Sequence, residues 1–276
     1  FDARIVQAWS RGGGDIWTIG NDSNHPFTGR EFGAANRSTL KGTQTFGSGY
    51  PYGNVDSTKI AGRPFPYGLW PLYWGNNITG SDEYGPTLDG VRPGGQLVTI
   101  PLKTEDATYN ITGGELYHII GDRDSATFMM ISLVTSCHVS PAWPIKFDPT
   151  ASNSTVKMEN VIQYYRASSF ALALLGYNNS FARWSTNTES TENTPIPDTI
   201  RYSEFHKCLD DVIVDALAIM NGGPVPGGTM AIVLGVLGGL IPVFHVAVIA
   251  VTLSTIRQRK ATLAIRTEAL NYERFP

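Results

Sequence analysis

Residues 61–75 read AGRPFPYGLWPLYWG, with five aromatic rings (Phe65, Tyr67, Trp70, Tyr73 and Trp74) and three prolines in fifteen positions. Proline fixes φ and lacks a backbone donor, so neither a long helix nor a central strand runs through Pro64, Pro66 and Pro71. Rings on such an irregular segment have three uses. They pack onto their own domain, they join one copy of the chain to the next, or they stack on sugar rings. The surface that covers them decides the architecture.

The segment belongs to a longer region of the same kind. Of the 29 glycines, 18 lie in the first 95 residues, together with 14 aromatic residues. Turn-rich words such as RGGG, GSGYPYGN, DEYGP and RPGG recur there. The aromatic content argues against plain disorder. Residues 1–95 are therefore read as an ordered Gly/Pro/aromatic arm, with Phe65, Tyr67, Trp70, Tyr73 and Trp74 as its association or ligand surface.

Residues 96–220 read as a compact α+β domain. QLVTIPL (96–102) and ELYHIIG (115–121) have strand length and β-branched content. DSATFMMISLVTSC (124–137) opens on capping residues and reads as helix. ENVIQYYRASS (159–169) reads as a second helix and FALALLGY (170–177) as a strand ended by Gly176. Over 201–220, Phe205, Cys208, Leu209, Val212, Ile213, Ala216, Leu217 and Met220 recur every three or four residues, which predicts a third helix. The expected fold is a small antiparallel sheet with about three helices, in the order ββα then αβα.

A second segment fixes the class. Residues 229–256, TMAIVLGVLGGLIPVFHVAVIAVTLSTI, contain no Asp, Glu, Lys or Arg. A bilayer-crossing helix needs about 20 apolar residues, so the run reads as a transmembrane helix rather than a buried core helix. RQRK follows at 257–260, and the positive-inside bias assigns that flank to the cytoplasm. The preceding residues then lie outside, with 221–228 as a hinge and 257–276 as a basic tail at the anionic inner leaflet. Phe1 stands where Met would open a nascent chain, and the expectation is a secretory leader already removed. Within the span, Gly235 and Gly239 permit close helix packing, Pro242 removes one backbone bond, and His245 is the single ionisable side chain.

The same side of the span carries all six Asn-x-Ser/Thr sequons, at Asn21, Asn36, Asn77, Asn110, Asn153 and Asn178, and none follows it. Both cysteines, Cys137 and Cys208, are also there. An even pair in an exported domain reads as a disulfide. The alternative is a tetrahedral zinc site from Cys137, His138, His206 and Cys208, which needs thiolates that an oxidising compartment disfavours.

Little else suggests chemistry. Asp82-Glu83, Asp122 with Asp124, and Asp210-Asp211 are local pairs, whereas glycoside hydrolysis needs carboxylates facing each other across a sugar. No nucleophile elbow, P-loop, dinucleotide fingerprint or HExxH occurs. A net charge of -3 and pI near 6 argue against nucleic-acid binding. The reading is non-enzymatic, with no cofactor and no metal.

RGGG, GSGYP, AGRPFPYGLWPLYWG, DEYG and RPGG, followed by VIQYYRASSFALALLGYNN and a later single Cys, resemble a family of exported fungal proteins, mainly of mushroom-forming basidiomycetes. The resemblance covers most of the residues before the span. It implies a secreted or cell-surface glycoprotein and implies no activity. The expected partners are the lipid bilayer, N-linked glycans and copies of the chain itself, assembled as a lattice or filament. The alternative is a receptor or adhesin that binds a ligand such as cell-wall polysaccharide.

Overall fold

Leu97, Val98, Thr99, Ile100 and Leu102 are consecutive or alternate residues of one strand, and every one is buried. A strand buried on both faces needs a layer on each side of its sheet. The computed structural model describes residues 6–7, 11–20, 25–51, 60–76, 78, 80–109, 116–182 and 193–220.

The elements run β1 (Val6–Gln7), β2 (Trp17–Thr18), β3 (Glu31–Phe32), β4 (Leu97–Leu102), β5 (Tyr117–Asp122), α1 (Arg123–Cys137), β6 (Ile145–Lys146), β7 (Val161–Tyr165), β8 (Phe170–Leu174), α2 (Asp198–Arg201), α3 (Glu204–Ala216) and β9 (Ile219–Met220), with short 3-10 turns between them. The fold class is α+β, as expected. The main sheet has the order β6-β4-β5-β8-β7, and all its neighbours are antiparallel. Two short antiparallel ribbons, β1 with β9 and β2 with β3, flank it.

Side chains alternate across the sheet and feed two cores. On one face Ile100, Tyr117, Ile119, Phe170 and Leu172 pack against Met129 and Leu133 of α1 and Phe205, Leu209 and Ile213 of α3. On the other face Leu97, Ile120, Val161, Tyr164, Ala171 and Ala173 pack against Phe65, Trp70, Leu72, Trp74 and Tyr84. The aromatic region is thus the second covering layer of the sheet. Every described residue falls within one unit, Phe1–Pro224. This corrects the expected division at residue 95. An isolated 96–220 domain would leave one apolar sheet face in water.

A second correction concerns 159–169. This stretch forms a 3-10 turn (Met158–Asn160), strand β7, and a tight turn into β8. Val161, Tyr164 and Tyr165 mimic helical spacing because burial on both faces erases the polar alternation that marks a strand. Their β-branched and aromatic character fits a pleated surface better than a helix. From residue 96 to the last helices the order is therefore ββα then βββ.

Strand β5 passes into α1 without a loop. Asp122 ends the strand and caps the helix, accepting from Ser125 N–H at 2.9 Å. Ser203 caps α3 in the same way, accepting from His206 N–H at 3.1 Å. The helix expected over 201–220 is shorter, Glu204–Ala216. It follows α2, and Leu217 at its C-cap leaves the helical conformation before β9.

No helix among the described residues is long and apolar enough to cross a membrane. The segment 229–256, with Gly235, Gly239, Pro242 and His245, lies outside the described residues, as do the hinge, the tail and sequons Asn21, Asn77 and Asn110.

Candidate functional site

The rings of AGRPFPYGLWPLYWG are withdrawn from solvent, with Trp70 only 1 % exposed. Phe27 meets Trp70 edge-on at 4.7 Å between centroids and Phe65 at 5.1 Å. The assignment of Phe65, Tyr67, Trp70, Tyr73 and Trp74 to an association surface is therefore corrected, because all five are buried by their own chain. The physical reason is the open sheet face, which Phe65, Trp70, Tyr73 and Trp74 cover, while Tyr67 packs into the core on the helix side.

An irregular buried segment must still satisfy its backbone. Here loops and arginines do so. Leu72 N–H donates to Ser168 O at 2.9 Å and Phe65 N–H to Glu31 O at 2.8 Å. Arg92 donates to Trp70 O at 2.9 Å and to Pro71 O at 2.6 Å. Burial pulls the Arg92 guanidinium down to about 10, against the opposing pull of Asp122 and Asp89.

A second buried arginine was not singled out from the sequence. Arg166 donates to Ser169 Oγ, Ser125 Oγ, Ala218 O and Asp122 Oδ2, all within 2.7–2.9 Å. It begins a run of three left-handed residues, Arg166, Ala167 and Ser168, with φ of 53°, 50° and 60°. Arginines set among glycine and aromatic residues, in a chain only 16 % charged, were the available signal.

The disulfide expected between Cys137 and Cys208 is formed, with Cα atoms 5.8 Å apart. It clamps the end of α1 to α3. Both sulfurs are consumed, which removes the zinc alternative. The flanking histidines turn elsewhere. His138 Nδ1 pairs with Asp106, and His206 stacks on Tyr117 with ring centroids 6.2 Å apart. Burial lowers the pKa of His206.

The acidic pairs are structural as well. Glu83 binds Arg30 and accepts from Gly62 N–H. Asp124 is exposed beside Arg123, and Asp210 accepts from Tyr165 Oη at 2.6 Å.

Among the described residues, a cavity that could hold a ligand lies beside Trp74. It is an open cleft of about 680 Å³, within the size range of small-molecule sites. Trp74, Met158 and Tyr177 supply apolar walls, and Lys157, Glu159 and Asn160 supply polar ones. The walls are stitched together. Asn160 Oδ1 accepts from Lys157 N–H, and Asn160 Nδ2 donates to Tyr177 O, both at 2.8 Å. Asn179 N–H donates to Glu159 O at 2.8 Å. Tyr177 Oη donates to Thr194 O, and burial pushes its hydroxyl up to about 12.

The rings of Trp74 and Tyr177 are only 5 % exposed, so the surface open to a saccharide or similar polyol is that of Pro149, Lys157 and Gly176. Glu159 is the one carboxylate among the described lining residues. Asn178 is exposed and stands on the cleft. The other described sequon asparagines, Asn36 and Asn153, are exposed too. No family model, curated protein or solved structure matches the chain, so its own geometry carries the functional reading.

Proposed function

We propose that this chain is a single-pass cell-surface glycoprotein, N-terminus outside, whose ectodomain acts without catalysis. The observation that carries the reading is the Cys137–Cys208 clamp in a domain whose three described sequon asparagines are all exposed. Disulfides persist in oxidising compartments, and sequons are modified on exported surfaces. The charge-free run 229–256 followed by RQRK supplies the anchor and its orientation. The resemblance to exported basidiomycete proteins points the same way. As the one carboxylate among the described residues of the cleft, Glu159 favours binding over glycoside hydrolysis, which uses two.

Protease treatment of intact cells, with glycosidase mass shifts on the full chain, tests the reading. The expected result is a glycosylated ectodomain released from outside and a protected tail. A tail cleaved from outside, or a chain that carries no glycan and no disulfide, overturns it.

Self-association is a second reading, and the ectodomain surface that favours it is not the aromatic arm. Trp143 is 83 % exposed and Ile145, on edge strand β6, is 57 % exposed. Exposed apolar patches mark association sites. Cross-linking of native membranes should trap dimers or larger species, and Trp143→Ser should reduce them. A strictly monomeric chain sinks this reading. Stacking of cell-wall polysaccharide on Trp70, Tyr73 and Trp74 has lost its platform, since all three rings are buried.

A further inference from the structure

We propose that the cleft beside Asn178 seats this chain's own N-linked glycan, with the first N-acetylhexosamine units folded back over Pro149, Gly176 and the 157–160 turn. The inference rests on the exported-glycoprotein reading above and deepens it. It turns one of the six sequons from a solubilising decoration into a part of the fold.

Position is the first argument. Asn178 lines the cleft itself and opens the sequon Asn178-Asn179-Ser180. A sugar bonded to its Nδ2 begins at the cleft wall and never has to arrive by diffusion. Tethering of this kind raises effective concentration to the millimolar range or above, so weak contacts suffice.

Direction is the second. The neighbouring Asn179 is buried, and its side chain makes four hydrogen bonds. Its Nδ2 donates to Gln44 O at 3.3 Å and Asn193 Oδ1 at 2.8 Å, and its Oδ1 accepts from Phe181 N–H at 3.1 Å and Thr194 N–H at 2.9 Å. The backbone that carries Asn178 is thereby fixed, and a fixed attachment point lowers the entropy lost on docking.

Chemistry is the third. A pyranose ring presents C–H faces and a rim of hydroxyls, and its acetamido group adds one donor and one acceptor. Pro149, Gly176 and the aliphatic stem of Lys157 are the accessible apolar surfaces of the cleft, since Trp74, Met158 and Tyr177 are buried, and the Lys157 ammonium offers donors to the hydroxyl rim. Asn36 and Asn153 have no such surroundings. Neither borders this cleft, and Asn36 Oδ1 instead accepts from Ser38 N–H at 3.0 Å.

The test uses the full chain made in a eukaryotic secretory host and digested by an endoglycosidase under native conditions. Site-resolved peptide mass spectrometry follows release at Asn178, with Asn36 and Asn153 as internal references. The expected result is about tenfold slower release at Asn178, the protection given by ~1.4 kcal/mol of docking, and equal rates after denaturation. Lys157→Ala should speed release at Asn178 and leave Asn153 unchanged. Equal native rates at the three sites overturn the proposal, as does an unoccupied Asn178 beside occupied neighbours. Binding of free chito-oligosaccharide by the fully glycosylated protein would reveal an open cleft and overturn it equally. A chain with no glycan at any sequon and no disulfide, or a tail cleaved from outside, would sink the exported-glycoprotein reading along with it.

Discussion

The Arg166 guanidinium donates from Nη2 to Asp122 Oδ2 at 2.7 Å, with the two side chains 0 % and 3 % exposed. This pair ties the left-handed β7–β8 turn to the junction where β5 becomes α1. Left-handed residues other than Gly cost about 1–2 kcal/mol each, so three in succession require a compensating scaffold. Arg166 N–H to Leu40 O, Gly47 N–H to Ser168 Oγ and Leu72 N–H to Ser168 O complete it. Those partners come from the glycine-rich region, which thereby holds the turn of the sheet it covers.

Asp122→Ala is expected to destabilise the protein by about 3–5 kcal/mol, since it strands a buried guanidinium and also removes a helix cap. Arg166→Met should cost a similar amount. The double variant should cost less than the sum, because neither charge is then left unpaired. Denaturant unfolding with the disulfide intact measures all three, and strict additivity would disprove the coupling.

Gly94 and Gly62 separate crowding from backbone strain. Both have φ of +80°, but a Cβ on Gly94 would lie 1.9 Å from Asp122 Oδ1, whereas one on Gly62 meets nothing within 4 Å. Gly62→Ala should cost only the conformational strain, about 1–2 kcal/mol. Gly94→Ala should cost distinctly more and should weaken the Arg166 pair. Thermal melts of the two variants check this, and equal costs would refute the close contact.

Trp70→Ala should lower stability by about 3–5 kcal/mol, the range for emptying a large buried aromatic site. Trp143→Ser, at an exposed position, should stay within about 0.5 kcal/mol of the parent. A Trp70→Ala protein that melts like the parent would mean that the ring does not pack in the core.

Acidification should destabilise the fold in two steps. Burial lowers the pKa of His118 and His206 below their usual 6.5. The unfolded chain therefore binds protons first, so their contribution is complete above pH 6.5 and is lost as pH falls below it. Asp106 is held below its usual 3.8, first by the Thr108 hydroxyl, then by the Thr108 amide and by His138. Its contribution is present above pH 3.8 and is lost as pH falls further. Tm should thus drop as pH falls below 6.5, and His118→Gln with His206→Gln should flatten that drop. An unchanged slope in the double variant would remove these histidines as its cause.

Local signals carried a good part of the fold. QLVTIPL and FALALLGY have strand composition, the 201–220 stripe has helical period, and an even pair of cysteines in a domain with six sequons reads as a disulfide. The errors share one cause. ENVIQYY lost its strand signature, and residues 1–95 looked like a separate arm, because the sheet is covered on both faces. Burial of a whole strand removes the polar positions from which periodicity is read. The cleft was equally illegible, since Trp74 reaches Lys157–Asn160 and Tyr177 only after the sheet has been assembled.

The sequence by itself determined the α+β class, the pairing of Cys137 with Cys208, and the irregular backbone of AGRPFPYGLWPLYWG. Those depend on near neighbours, on proline geometry and on the count of cysteines. Only the tertiary structure decided what covers the five rings. That depends on which apolar surface is left exposed elsewhere; for Phe65, Trp70, Tyr73 and Trp74 it is the second face of the chain's own sheet, and for Tyr67 it is the core under the helices. The same packing buries Arg166 against Asp122, because a guanidinium enclosed by two layers must take its partners from whatever the fold brings there.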